Sequence, residues 1–125
     1  MEDWRIYALA FFPDLRMDLL DDQTSYYQVF FHLHFILPSL YQRDDSREIK
    51  PVFAFAEWCL NHTDDAIVNA VNVAFYEHLF DRREQWEHAA SWLDRAISER
   101  CWGLWETRRL PGSLDELRAL LFNPG

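Results

Sequence analysis

Residues 66–80, AIVNAVNVAFYEHLF, are apolar at nearly every position of a helical wheel. Ile67, Val68, Val71, Ala74, Phe75 and Leu79 fall on one broad face, and Ala70, Val73 and Phe80 extend it, leaving Asn69, Asn72 and Tyr76 as a narrow polar stripe. That pattern predicts a buried central helix. Asp64 and Asp65 stand where short carboxylates cap free amides at a helix start. Glu77 lies within the apolar wrap, so its carboxylate is expected to meet an Arg or a backbone donor rather than open water.

The rest of the chain reads as amphipathic helices around this one. Residues 4–12 place Ile6, Ala8, Leu9 and Phe12 toward a core, Pro13 ends or restarts the helix, and residues 14–20 continue it with Leu15 and Leu19 inward. After the polar break at residues 21–25, a second helix over 26–41 keeps Val29, Leu33, Ile36 and Leu40 in register, with a kink expected at Pro38. Residues 42–48 read as a solvated connection, and a third helix runs from Pro51 to about His62 with Val52, Phe55, Ala56 and Cys59 inward. Beyond the break at Asp81, Arg82 and Arg83, one continuous stripe joins Trp86, Ala89, Ala90, Leu93, Ala96, Ile97, Cys101 and Leu104, and Gly103 weakens its end. Leu110, Pro111 and Gly112 turn the chain, and Ser113 with Glu116 has capping-box spacing ahead of Leu114, Leu117, Leu120 and Leu121. Short polar links between successive helices favour antiparallel hairpins. The expectation is an all-α single domain over residues 1–125, with about six helices in a compact bundle or a short HEAT-like array.

Composition agrees with helices: three Gly and five Pro are too few for a turn-rich sheet protein, and 125 residues suffice for one core. Cys59 and Cys101 both occupy apolar helical positions, which suggests buried thiols in a reducing compartment rather than a disulfide. The N-terminal stretch has acids before its apolar run and lacks the basic region of a signal peptide, and no apolar run approaches the ~20 residues of a membrane span. A cytoplasmic protein is expected. A net charge of -9 disfavours nucleic acid and anionic membrane and favours a basic partner.

Two stretches carry a resemblance. Asn69, Val71, Val73, Phe75, Glu77 and Leu79 at alternate positions, preceded by Asp64, Asp65 and Val68, join the Phe12-Pro13-Asp14-Leu15 run near the start. Together they resemble a family of small all-helical bacterial domains of uncharacterised function, some of which are thought to be immunity proteins of polymorphic toxin systems. The resemblance implies a fold and a binding role, with no catalytic residues and no cofactor.

Signals for chemistry are weak. His32 and His34 are two apart, about 200° around a helix, so they do not share a metal ion, and there is neither a His-Glu-x-x-His nor a Glu-x-x-His. No serine sits in a strand-turn-helix elbow, and no glycine-rich loop is available to hold phosphate. Neither an enzyme nor a metal or cofactor site is expected.

What remains is surface. Tyr27, Phe31 and Phe35 line up at i, i+4 and i+8 on the side of their helix away from the core stripe. Trp92 shares the polar side of the fifth helix with His88, Arg95 and Glu99, and Trp102 lies farther along. Such aromatics suit binding hot spots, although packing beneath another helix is the commoner reason for them. Doubled acids gather at the helix junctions: Asp21 with Asp22, Asp44 with Asp45, and Asp64 with Asp65, the last of these sharing an end of the bundle with the first. The expected function is non-catalytic binding, as an immunity protein that occludes a basic cognate toxin. The alternative is a structural or regulatory module that self-associates, as a homodimer, through its aromatics.

Overall fold

The computed structural model describes residues 2–123. Its eight α-helices exceed the expected six: α1 (Asp3–Phe11), α2 (Arg16–Leu20), α3 (Tyr26–Gln42), α4 (Ser46–Leu60), α5 (Asp65–Ala74), α6 (Trp86–Ser91), α7 (Arg95–Glu106) and α8 (Leu114–Phe122). Three 3-10 turns, Pro13–Leu15, Tyr76–His78 and Arg83–Gln85, punctuate them, and no strand occurs among the described residues. One contiguous core runs from Trp4 to Leu121. The central α5 packs on both α3 and α4, and α1 crosses to α4 instead of resting only on its chain neighbours. A linear array would lack that long-range closure, so the arrangement is a compact bundle.

Several boundaries follow from capping. Asp45 accepts the amide of Glu48 and starts α4 at Ser46, which shortens the expected 42–48 connection and leaves Pro51 inside the helix. Asp94 accepts the amide of Ile97 at 2.8 Å and begins α7, so the single stripe expected over 86–104 is two helices meeting at a corner. In α1 the inward positions are Trp4 and Ala8, while Ile6 is 53% exposed, a correction to the expected face.

The central helix is also shorter than expected. It stops at Ala74 because Phe75 leaves the helical region, with φ -129° and ψ -72°. In a run apolar at nearly every position the phase of the pattern does not mark where the helix ends. Phe75, Tyr76, Leu79 and Phe80 are all buried, but in the compact turn that follows rather than on a helix face. Two indoles hold that turn: Trp105 Nε1 donates to the Tyr76 carbonyl and Trp86 Nε1 to that of Phe80, both at 2.8 Å. Tyr76 is therefore interior, not part of a polar stripe, and Val73 is 42% exposed. Glu77 does meet an Arg: its Oε1 accepts from Arg108 Nη1 at 3.2 Å, in a half-buried position.

The C-terminal α8 covers α6 and α7 with Leu117 and Leu121. Its approach is tight enough that a Cβ on Gly112 would stand 2.6 Å from Trp86 Cη2, which is why glycine occupies the turn.

Candidate functional site

One buried cation organises an end of the bundle. Arg5 is 6% exposed, and its guanidinium donates to the carbonyls of Leu19 (3.0 Å), Asp21 (2.9 Å), Asp22 (3.3 Å) and Thr24 (2.6 Å). It thereby fixes the loop between α2 and α3 against the first turn of α1. Glu2 accepts from Trp4 Nε1 at 2.8 Å and Arg5 Nε at 3.0 Å, and these hydrogen bonds hold its carboxyl below the usual range. On the same turn of α1, Asp3 Oδ2 lies 2.9 Å from His62 Nε2, and His62 Nδ1 accepts the backbone amide of Asp64 at 2.8 Å. These links tie the α2–α3 loop, with Asp21 and Asp22, and the start of α5, with Asp64 and Asp65, to the first turn of α1, and all four aspartates are exposed.

Between α1 and α4 at this end runs an open groove lined by Asp3, Phe11, Ala54, Glu57, Trp58 and His62. Its aromatic side chains are Phe11 and Trp58, and the Trp58 ring stacks on Tyr7 with centroids 4.2 Å apart and meets His62 edge-on at 5.1 Å. Glu57 is exposed and forms no ion pair among the described residues. A carboxylate beside an aromatic ring is suited to a Lys or Arg side chain, through charge and packing together. Neither Tyr7 nor Trp58 stands out in the sequence, because they lie on different helices and meet only in the fold.

The other expected binding residues disperse. Asp44 and Asp45 lie at the α3–α4 junction, Asp44 with φ 53° and Asp45 as the N-cap of α4. Phe31 and Phe35 are 55% and 80% exposed on successive turns of α3, whereas Tyr27 is half-buried against Tyr26 at 5.3 Å. Trp92 is a correction: it is the C-cap of α6, half-buried and stacked on Phe53 at 5.9 Å, rather than an exposed anchor. The corner at Asp94 removes the shared face that placed it beside Glu99. His88 stacks on Tyr41 at 5.1 Å, and Glu99 pairs with Arg95 at 3.0 Å. Trp102 is packed under α8, its ring against Phe122 at 5.8 Å and beneath Arg118 at 4.9 Å.

A second polar cluster centres on Arg108, which binds Glu77 and both oxygens of Asp81, the latter at 2.8 and 3.0 Å. His78 Nδ1 is 2.8 Å from Asp81 Oδ2, and His34 Nε2 is 3.2 Å from the His78 carbonyl. Burial pushes the His34 pKa down. Cys59 and Cys101 are buried free thiols whose pKa values burial pushes up to about 12, which keeps them protonated and unreactive. Among the described residues no group of three or more His, Cys, Asp or Glu is placed to hold a metal, and no helix is long and apolar enough to cross a membrane.

No curated protein and no solved structure matches this chain. A family model described as a domain of unknown function (DUF7674) matches residues 6–107, from α1 to the end of α7, leaving α8 outside. The chain accordingly belongs to the DUF7674 family of domains of unknown function.

Proposed function

We propose that this protein is a non-catalytic binding protein for a basic protein partner and, more finely, an immunity protein that occludes a cognate toxin. The observation that carries this reading is the groove between α1 and α4, where Trp58 and Tyr7 stack beside the unpaired Glu57, at the end where Asp21, Asp22, Asp64 and Asp65 gather. A Lys or Arg of the partner pairs with Glu57 and packs against the exposed part of the Trp58 ring, whose neighbours are Tyr7 and Phe55, while the surrounding aspartates and the net charge of -9 steer the approach. Inhibition is stoichiometric: the partner's basic surface is covered, and no bond is made or broken. The resemblance to domains thought to act as immunity proteins supports the finer reading.

The test is co-expression with the product of the adjacent gene. The expected result is relief of its toxicity and a one-to-one complex whose association slows as salt rises past ~0.5 M, since steering is screened while packed contacts are not. Glu57→Lys, at an exposed and unpaired site, should weaken that complex at least tenfold without altering the fold. No protection, or a complex indifferent both to salt and to Glu57→Lys, overturns the proposal.

A further inference from the structure

The outward face of α3 presents a different kind of surface. Phe35 is 80% exposed and Phe31 55%, and beside Phe35 opens a cleft lined by His34, Pro38, Asp81, Arg82 and Gln85. A projecting ring and a cleft therefore occupy one patch. A twofold interface needs that property, because the same surface must supply both the knob and the hole.

Charge selects the occupant. Two copies at -9 each repel, so they meet only where the local balance is near neutral. Here Glu77, Asp81, Glu84 and Glu116 are set against Arg82, Arg83 and Arg108, a near balance. Arg108 holds Glu77 and Asp81, Arg83 is engaged with Glu116, and Arg82 is exposed without an ion pair among the described residues. The acidic end described above has no comparable balance.

We propose that this face joins two copies of the chain about a twofold axis, Phe35 of each copy entering the cleft of the other and Arg82, which has no ion pair of its own among the described residues, facing the exposed Glu84 of the other copy. The interface is separate from the α1–α4 groove and leaves that groove open. Because screening relieves the repulsion between acidic copies, self-association strengthens with salt, the reverse of the dependence expected for a basic partner.

Sedimentation equilibrium of the full chain over a concentration series tests this. The expected result is a species of twice 15.1 kDa that tightens as salt rises. Phe35→Ser should weaken the dimer at least a hundredfold and Arg82→Glu at least tenfold, both with unchanged thermal melting because both side chains are exposed. A chain that stays monomeric at millimolar concentration overturns the proposal, and so does a dimer indifferent to Phe35→Ser. Neither result bears on the groove, whose test uses Glu57.

Discussion

Replacing Arg5 with Met keeps most of the volume and removes every donor. Its guanidinium bonds four main-chain carbonyls, of which the Leu19 oxygen is in a fully buried bond and those of Asp21, Asp22 and Thr24 are in partly buried ones. Leaving the Leu19 oxygen unpaired costs about 1–3 kcal/mol, and the others, which water can reach, roughly 0.5–1 kcal/mol each. The sum is about 2.5–6 kcal/mol, a range that includes the cost of breaking a buried charged contact. At roughly 3–5 °C per kcal/mol for a chain of this size, Tm should fall by about 8–30 °C. Calorimetry gives Tm, and urea unfolding followed by Trp fluorescence gives the free energy. Arg5→Lys should recover part of the loss, because an ammonium reaches fewer of the four oxygens. Amide exchange at Gln23 and Thr24 should speed up more than exchange in α5, since the anchored loop is released first. A Tm within about 3 °C of the parent would show that the carbonyls are solvated and that Arg5 does not anchor the loop.

Trp92→Ala should cost about 2 kcal/mol in stability by uncovering Phe53, with binding unchanged among folded molecules. Affinity loss at unchanged Tm would contradict the packing of its ring. Stability should also fall as pH drops below the ordinary His value of ~6.5, because the depressed pKa of His34 lets the unfolded chain take up the proton more readily than the folded one. The effect is complete once pH falls through the folded pKa, and His34→Gln should flatten that limb of the profile. A denaturation midpoint equally pH-dependent in His34→Gln would assign the effect to another group.

The helices were legible where period and caps agreed. Ser113 with Glu116 is readable as a capping box and α8 begins there, whereas the start of α3 shows in the chain only as a polar break, which the structure resolves into a second capping box of Ser25 with Gln28. The errors came where one local signal outweighed another. Asp94 could be read as a solvated residue of a long helix or as a cap, and only the packing of Ile97 on one side and Trp92 on the other makes it the cap. The run through Phe80 hid its own end because an unbroken apolar sequence fits a buried turn as well as a buried helix. The acid pairs were readable singly from the chain. Alternating helix direction also put the first and third pairs at one end, but the links through Arg5 and His62 that hold them there were hidden, because hydrogen bonds across 14 to 59 residues leave no local pattern. The stacked pair of Tyr7 and Trp58 was hidden for the same reason.

The two indole bonds to the turn after α5 bear on the order in which the chain becomes ordered. Helices α1 to α5 pack on one another from the first 74 residues alone, but the Tyr76 and Phe80 carbonyls meet their indole donors only when Trp105 and Trp86 arrive. A chain emerging from the ribosome can thus assemble its N-terminal half while the apolar run 75–80 remains unlatched. The C-terminal tryptophans then close it, and both change environment in that step, so a late change in indole fluorescence would report the latch rather than the collapse that precedes it.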